Sequence, residues 1–425
     1  MQLKPYWQDT APRFMRAAAG PVDGAYDVAV IGGGFTGLSA ARHLAKSGAS
    51  VVVLEADKIG SGASGRNGGH LNNGVAHGFT SAKAALGAER ATALYRAFDE
   101  SVATIERLVA EEGIDCAFHR CGKLKLASKP AHFDALARDF DVVQREVDPD
   151  TALLGAKQVR AEVGSTAFHG AMLFGKSAMM HMGRFATGMA DAAVRHGAKI
   201  FEDAAVTGRR LSGDKHEIVT ARGKVTAKEV MVATGAYTSG PFDYFRRRIV
   251  PVGSFIIATR PLSDAEIAAT MPGNRNCVTS MNIGNYFRML PDKRLLFGGR
   301  ARFSASANQK SDTKSGAILR ASLARIFPHL ADIEVDYCWG GLVDMTQDRF
   351  PRAGRADGVW YAMGYSGHGA QISTYMGTVM ADLILGKPDR NPVGGLEWPA
   401  IAGYAGKPWF LPMVGLYYKM LDRFQ

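Results

Sequence analysis

Cysteine, clustered charge and long apolar runs are all scarce in this sequence. Its four cysteines, Cys116, Cys121, Cys277 and Cys338, are too few for a disulfide framework in 425 residues, and Cys116-x4-Cys121 has no second Cys or His pair to complete a zinc site. Reduced thiols and no metal are the expectation. No uncharged apolar run reaches the ~18 residues of a membrane span, and the opening stretch MQLKPYWQDTAPRF lacks the apolar core of a signal peptide. The chain therefore reads as cytoplasmic, with no transmembrane segment. The net charge of +11 invites a nucleic-acid partner, yet Arg246, Arg247 and Arg248 form the only run of three basic residues. A generally basic surface or an anionic small molecule accounts for the charge better than DNA or RNA.

What is present is globular. A composition 47% hydrophobic and 21% charged excludes a disordered or fibrous chain, and 425 residues suit two domains, interleaved or in series. After an irregular arm with Pro5, Pro12 and Pro21, the apolar run YDVAVIG, a glycine turn, an Ala-rich helix near Gly37 to Ser47 and a second run, VVVLE, predict a βαβ unit buried on both faces. Amphipathic helix follows from about Ser81 to Glu112, then a short strand, GKLKLAS. GRFATGMADAAVRHGAKIFEDAAVTG reads as helix, glycine stop at Gly197 and strand, and KEVMVATGAY as a further buried strand. From about Pro241 to Asp336 the alternation in FIIATR, NYFRML and RLLFGGR predicts antiparallel strands, with a helix near Ser315 to Ile326. The strand VWYAMGY, a glycine turn and an apolar helix close the pattern.

Three glycine sites carry the chemistry. Gly32, Gly34 and Gly37 make G-x-G-x-x-G between strand and helix, and Glu55 ends the next strand eighteen residues later. That arrangement suits a dinucleotide: a tight turn, close approach of pyrophosphate to main chain, an uncompensated helix N-terminus, and an acid for ribose hydroxyls. NAD and FAD both satisfy it. The second site, GSGASGRNGGHLNNG from Gly60 to Gly74, holds six glycines in fifteen residues and is too close to Glu55 for a linker. The third is Gly364-Tyr365-Ser366-Gly367-His368-Gly369, whose amides and following helix suit a group that gains negative charge. Val232 to Ala236 offers a strand exit through Ala233 and Gly235 for a cofactor to run beside. His368 reads either as a member of that third site or as a helix cap.

In order along the chain, GGGFTG, VVVLEADKIGSGASGRNGGHLNNG, VMVATGAY, NYFRMLPDKRLLFGG and YAMGYSGHG resemble the D-amino-acid oxidase superfamily of flavoproteins, nearest its gamma-glutamylputrescine oxidase branch. The resemblance runs nearly end to end. It implies noncovalent FAD, with Gly32, Gly34, Phe35, Thr36, Gly37, Glu55, Ala56, Ser64, Arg66, Asn67, Gly68, Gly69, Val206, Ala233, Gly235, Gly364, Gly367, His368 and Gly369 at the cofactor. It also implies oxidation of an amine or amino acid by hydride transfer to flavin N5, with hydrolysis of the resulting imine. His70, Tyr286, Arg288 and His368 are the candidate catalytic residues, with Arg300 a weaker one.

The substrate that the resemblance implies is gamma-glutamylputrescine-like, with O2 as acceptor. A cyclic or N-substituted amino acid such as pipecolate or proline, a D-amino acid, a quinone acceptor, or modified RNA as substrate remain open alternatives, and the oligomeric state is open as well. Two departures bear on chemistry: Cys338 lies upstream of the place where some relatives attach flavin, and Lys293 falls just outside the strand where sarcosine-oxidase relatives carry an oxygen-activating lysine. A third is local, Gly183 standing where relatives tend to have proline. The expected fold is α/β (α+β). An FAD-binding Rossmann-like βαβ domain (1–85, 165–238, 338–425) is interleaved with an antiparallel-sheet substrate-binding domain (86–164, 239–337).

Overall fold

The fold is that of a computed structural model, which describes residues 1–76, 78–304 and 309–424, the side chains of 300 and 424 excepted. Strand Ala25–Ile31 is central to the first sheet and runs parallel to Val51–Leu54 on one side and Gly223–Val232 on the other. Lys199–Phe201 extends the parallel set beyond Val51–Leu54, and Val359–Met363 pairs in parallel with the far end of Gly223–Val232. Alternate residues bury on opposite faces: Val28 and Val30 meet the helix cluster that includes Leu38, Phe185 and Met376, whereas Ala29 and Ile31 meet Phe201, Phe242 and Phe245. This two-sided burial is why the strand is continuously apolar.

The second sheet has eight strands in the order Val335–Met345, Val250–Pro261, Arg294–Arg302, Tyr286–Met289, Asn276–Thr279, Lys123–Leu126, Gly170–Phe174, Ala152–Gly155. Every junction is antiparallel except that between Asn276–Thr279 and Lys123–Leu126. Helix Thr313–Ile326 packs on its back, where Leu319 and Leu323 join Phe255, Phe287, Phe297 and Leu124. The opposite face looks toward the first sheet's domain.

The domain boundaries shift from the expectation. Gly170–Phe174 and Val335–Met345 lie in the second sheet, although 165–238 and 338–425 were expected in the nucleotide-binding part. Helix Ala88–Glu112, expected with the substrate part, packs on helices Gly369–Ile384 and Met182–Arg195 of the first. An apolar strand reads alike in either sheet, and only the partner across it decides. Among the described residues no helix is long and apolar enough to cross a membrane.

The arm is ordered by contact rather than by its own sequence. It forms a short helix, Tyr6–Asp9, that buries Trp7 completely. Trp7 lies edge-on to His181 at 4.9 Å, and His181 caps helix Met182–Arg195 by accepting from the Arg184 amide through Nδ1 at 3.2 Å. Its Nε2–H then donates to Thr10 Oγ1 at 2.9 Å. Gly183 explains itself here: a Cβ would stand 2.1 Å from the Trp7 carbonyl oxygen. Gly183→Ala should push the arm off this helix and cost about 1–3 kcal/mol, visible as a lowered Tm and faster proteolysis before Phe14.

Candidate active site

The first glycine turn is shaped by backbone contact. Gly32 has φ +109°, and a Cβ there would lie 2.8 Å from the Ala233 carbonyl oxygen. A Cβ on Gly37 would lie 2.0 Å from the Gly32 oxygen, so helix Phe35–Lys46 sits directly on the turn. That helix begins at Gly34 with no side-chain cap and no acidic residue in its first turn. Its positive end is thus left for an anionic group. Around it, the Phe35 amide donates to Ser64 Oγ at 2.9 Å, and Thr36 Oγ1 meets the Tyr365 hydroxyl at 2.8 Å. Glu55 accepts from the Gly33 amide at 2.6 Å and the Asp57 amide at 2.9 Å, and burial pushes its carboxyl pKa up. Ala56 follows it at the surface. An uncapped helix end, glycines that let main chain approach, and an acid at the second strand's end fit the pyrophosphate and ribose of FAD.

The glycine loop 60–74 is closed on itself and on both sheets. Asn67 donates to the carbonyls of Ala63 and Ser64 at 3.1 and 3.0 Å, and its Oδ1 accepts from the Gly69 amide at 2.8 Å. Arg66 donates to Ser61 O at 2.6 Å and Gly340 O at 2.9 Å. Two indoles hold the outside: Trp7 Nε1 donates to Asn67 O at 2.6 Å, and Trp339 Nε1 to Arg66 O at 3.0 Å. The paired glycines make room for the second sheet. A Cβ on Gly68 would stand 2.7 Å from the Tyr286 ring, and one on Gly69, at φ +75°, 2.2 Å from an Arg288 nitrogen.

Arg288 is 1% exposed and, among the described residues, has no carboxylate partner. Its guanidinium donates to Gly68 O at 2.9 Å, Met180 O at 2.8 Å and Met289 O at 3.4 Å, and lies 5.4 Å from the Trp7 ring centre. Burial lowers its pKa to about 10, which leaves it charged at neutral pH. His70 stands beside it, edge-on to Tyr286 at 5.5 Å, with Nδ1 3.1 Å from Gly68 O and Nε2 3.4 Å from Phe287 O. Burial, and then the Arg288 charge, pull the imidazole down to about 3, so it is neutral. Burial pushes the Tyr286 phenol up to about 12. His70, Tyr286 and Arg288, predicted from separate stretches, are therefore adjacent.

The third glycine site is occupied by a residue that the sequence reading missed. The Asp344 carboxylate accepts from the Gly364 amide at 2.7 Å, and a Cβ on Gly235 would stand 3.2 Å from it. Burial pushes its carboxyl up to about 6, opposed by backbone amides of the Gly364–Ser366 turn. Its only signal in the sequence is an isolated acid in the apolar strand CWGGLVDM. His368 sits at the start of helix Gly369–Ile384 without capping it, its Nδ1 3.4 Å from Ser366 O, and Gly367 has φ +86°. Val206 is apart from this group, its carbonyl oxygen covering Gly240 at the edge of the first sheet.

Lys293 lies in an exposed turn, paired with Asp264 at 2.8 Å. Cys338 is buried in the core behind the second sheet. The Arg300 side chain lies outside the described residues.

The sequence matches the family described as DAO, FAD dependent oxidoreductase, over residues 27–383. It is 34% identical to gamma-glutamylputrescine oxidoreductase of Escherichia coli (strain K12) over 403 residues, 93% of this chain and 93% of that protein. Probable oxidoreductase OrdL of Haemophilus influenzae is 33% identical over 408 residues, 94% of this chain and 92% of that one. The crystal structure of glycine oxidase from Geobacillus kaustophilus superposes with a TM-score of 0.77 at 23% identity, covering 89% of this chain and 100% of the other.

The low pKa of His70 has a sign. A histidine depressed from its ordinary 6.5 to about 3 contributes stability that is complete above pH 6.5 and is lost as pH falls toward 3. His70→Asn should therefore lose less stability than the wild type between pH 7 and pH 4, measured as the Tm difference at each pH.

Proposed function

The chain belongs to the DAO family of FAD-dependent oxidoreductases, and from that premise we propose that it oxidises the terminal amine of a gamma-glutamylputrescine-like substrate with O2 as acceptor. The observation that supports the reading is that the glycine loop meets Tyr286 and Arg288 of the second sheet. Similarity to the Escherichia coli enzyme over nearly the whole chain supports the substrate class.

FAD would supply the hydride acceptor: loss of a hydride from the substrate's C–N carbon and of a proton from its nitrogen gives an imine, which water hydrolyses to aldehyde and ammonia. This chain's residues position and tune. The Gly34 helix end and Glu55 would hold the pyrophosphate and ribose, with Phe35, Thr36, Ala56, Val206, Ala233 and Gly235 along the nucleotide. Ser64, Arg66, Asn67, Gly68 and Gly69 would wall the flavin ring, and Gly364, Gly367, His368 and Gly369 would lie at its pyrimidine end. Arg288 is a positioning residue, since its donors are engaged by the carbonyls of Gly68 in the loop and of Met180. Neutral His70 adds no positive charge, and the fixed charge of Arg288 favours the uncharged amine, the form whose lone pair assists hydride departure. Asp344 holds the Gly364–Ser366 turn in place.

Purified protein should be yellow, and Glu55→Arg should weaken FAD binding at least about tenfold through loss of charge-assisted hydrogen bonds. Anaerobic addition of gamma-glutamylputrescine should bleach the flavin band, and readmitted air should release hydrogen peroxide. Colourless protein that cannot be reconstituted sinks the assignment, and bleaching by proline or pipecolate alone moves it to a different substrate.

A further inference from the structure

Two cations on this side of the molecule have no hydrogen-bond or ion-pair partner for their side chains among the described residues. On strand Lys123–Leu126, Leu124 and Leu126 enter the core behind the sheet, which turns Lys123 and Lys125 to the inner face. Lys123 is satisfied: its ammonium donates to Asn73 O at 2.6 Å and lies 3.9 Å from the centre of the Phe174 ring. Lys125 is partly buried and, among the described residues, makes no hydrogen bond or ion pair. Asp139, the acid whose field it feels most, is already engaged by the Thr80 amide at 3.1 Å and hydroxyl at 2.7 Å.

Arg349 is the second cation. Its Nε is buried without a hydrogen-bond partner. The residue adopts φ +62°, a conformation that costs a side-chain-bearing residue on the order of 1 kcal/mol or more. The adjacent acid does not help it, because Asp348 pairs with Arg352 and accepts from the Phe350 amide. Arg349 is close enough to Lys125 for the two charges to repel, which adds to burial in lowering the lysine pKa. Unpaired like charges held together in a protein wall are costly unless an anion joins them.

The sheet register places Lys125 relative to Tyr286. Lys125 is opposite Val278, and Val278 is opposite Tyr286, so Lys125 stands two strands, roughly 10 Å, from Tyr286. Tyr286 packs on Gly68 of the flavin loop. We propose that Lys125 and Arg349 form an anion subsite that binds a carboxylate at the far end of the amine substrate, with Lys125 roughly 10 Å from Tyr286. The inference deepens the amine-oxidation reading and rests on it for the substrate. It selects an extended amine with a distal carboxylate, as in a gamma-glutamyl amine, over a short amino acid whose carboxylate is bonded to the reacting carbon.

Calorimetric titration of the FAD-loaded protein with glutarate, and with uncharged glutaramide, tests the subsite without turnover. The wild type should bind glutarate and not glutaramide. Lys125→Met and Arg349→Met should each weaken glutarate binding about tenfold to hundredfold, the range of a lost charge-assisted bond, and Lys125→Arg should retain it. In steady state, the ratio of kcat/KM for gamma-glutamylputrescine to that for butylamine should fall by a similar factor in Lys125→Met, through KM. Equal glutarate affinity in wild type and both methionine variants, or equal binding of glutaramide by the wild type, overturns the subsite. Glutarate binding that depends on both residues in an enzyme that oxidises neither amine supports the subsite and overturns the substrate reading instead.

Discussion

A buried guanidinium holds this molecule's two halves in register. Arg288 brings an uncompensated charge into the interior, which on its own would be destabilising by several kcal/mol. Three carbonyl oxygens and the Trp7 ring offset that cost. Those groups come from the glycine loop, the strand before helix Met182–Arg195, the second sheet and the N-terminal arm. Neither the glycine loop nor the segment at Met180 can shift alone without leaving a donor of Arg288 unmet.

The same charge orders the electrostatics around it. It helps keep His70 neutral and contributes to lowering His181 to about 4, so neither imidazole titrates near neutral pH. Asp344 balances the far side, its carboxylate held by amides and not by a cation. The second sheet thus carries both a cationic group, Arg288, and, on its strand Val335–Met345, a carboxylate at the Gly364 turn. An elongated substrate with charge at one end and a neutral amine at the other is oriented by such a field before any close contact is made.

The sequence made the βαβ unit legible because its signals are local: strand, Gly32, Gly34, Gly37, helix and Glu55 fall within 31 consecutive residues, 25–55. The glycines at 68 and 69 were legible as a close approach but not in their cause. They seat Tyr286 and Arg288, and the bond from Arg288 to Gly68 spans 220 positions. Asp344, Lys125 and Arg349 were hidden for a related reason. Each is a single charge in or beside an apolar strand, and only the partners it lacks or finds across the fold distinguish it from a solvated edge residue.

The docking of the arm also sets an order of events. Asp9 reaches the hydroxyl of Tyr337, 328 positions later, and Trp7 closes the glycine loop against a helix that begins at Met182. A ribosome releases the βαβ unit long before it releases that strand. The first glycine turn then sits among neighbours made early, while the glycine loop waits for Trp339 and Gly340 to be closed. Closing that loop is thereby a late step of folding, because it joins segments more than 270 positions apart.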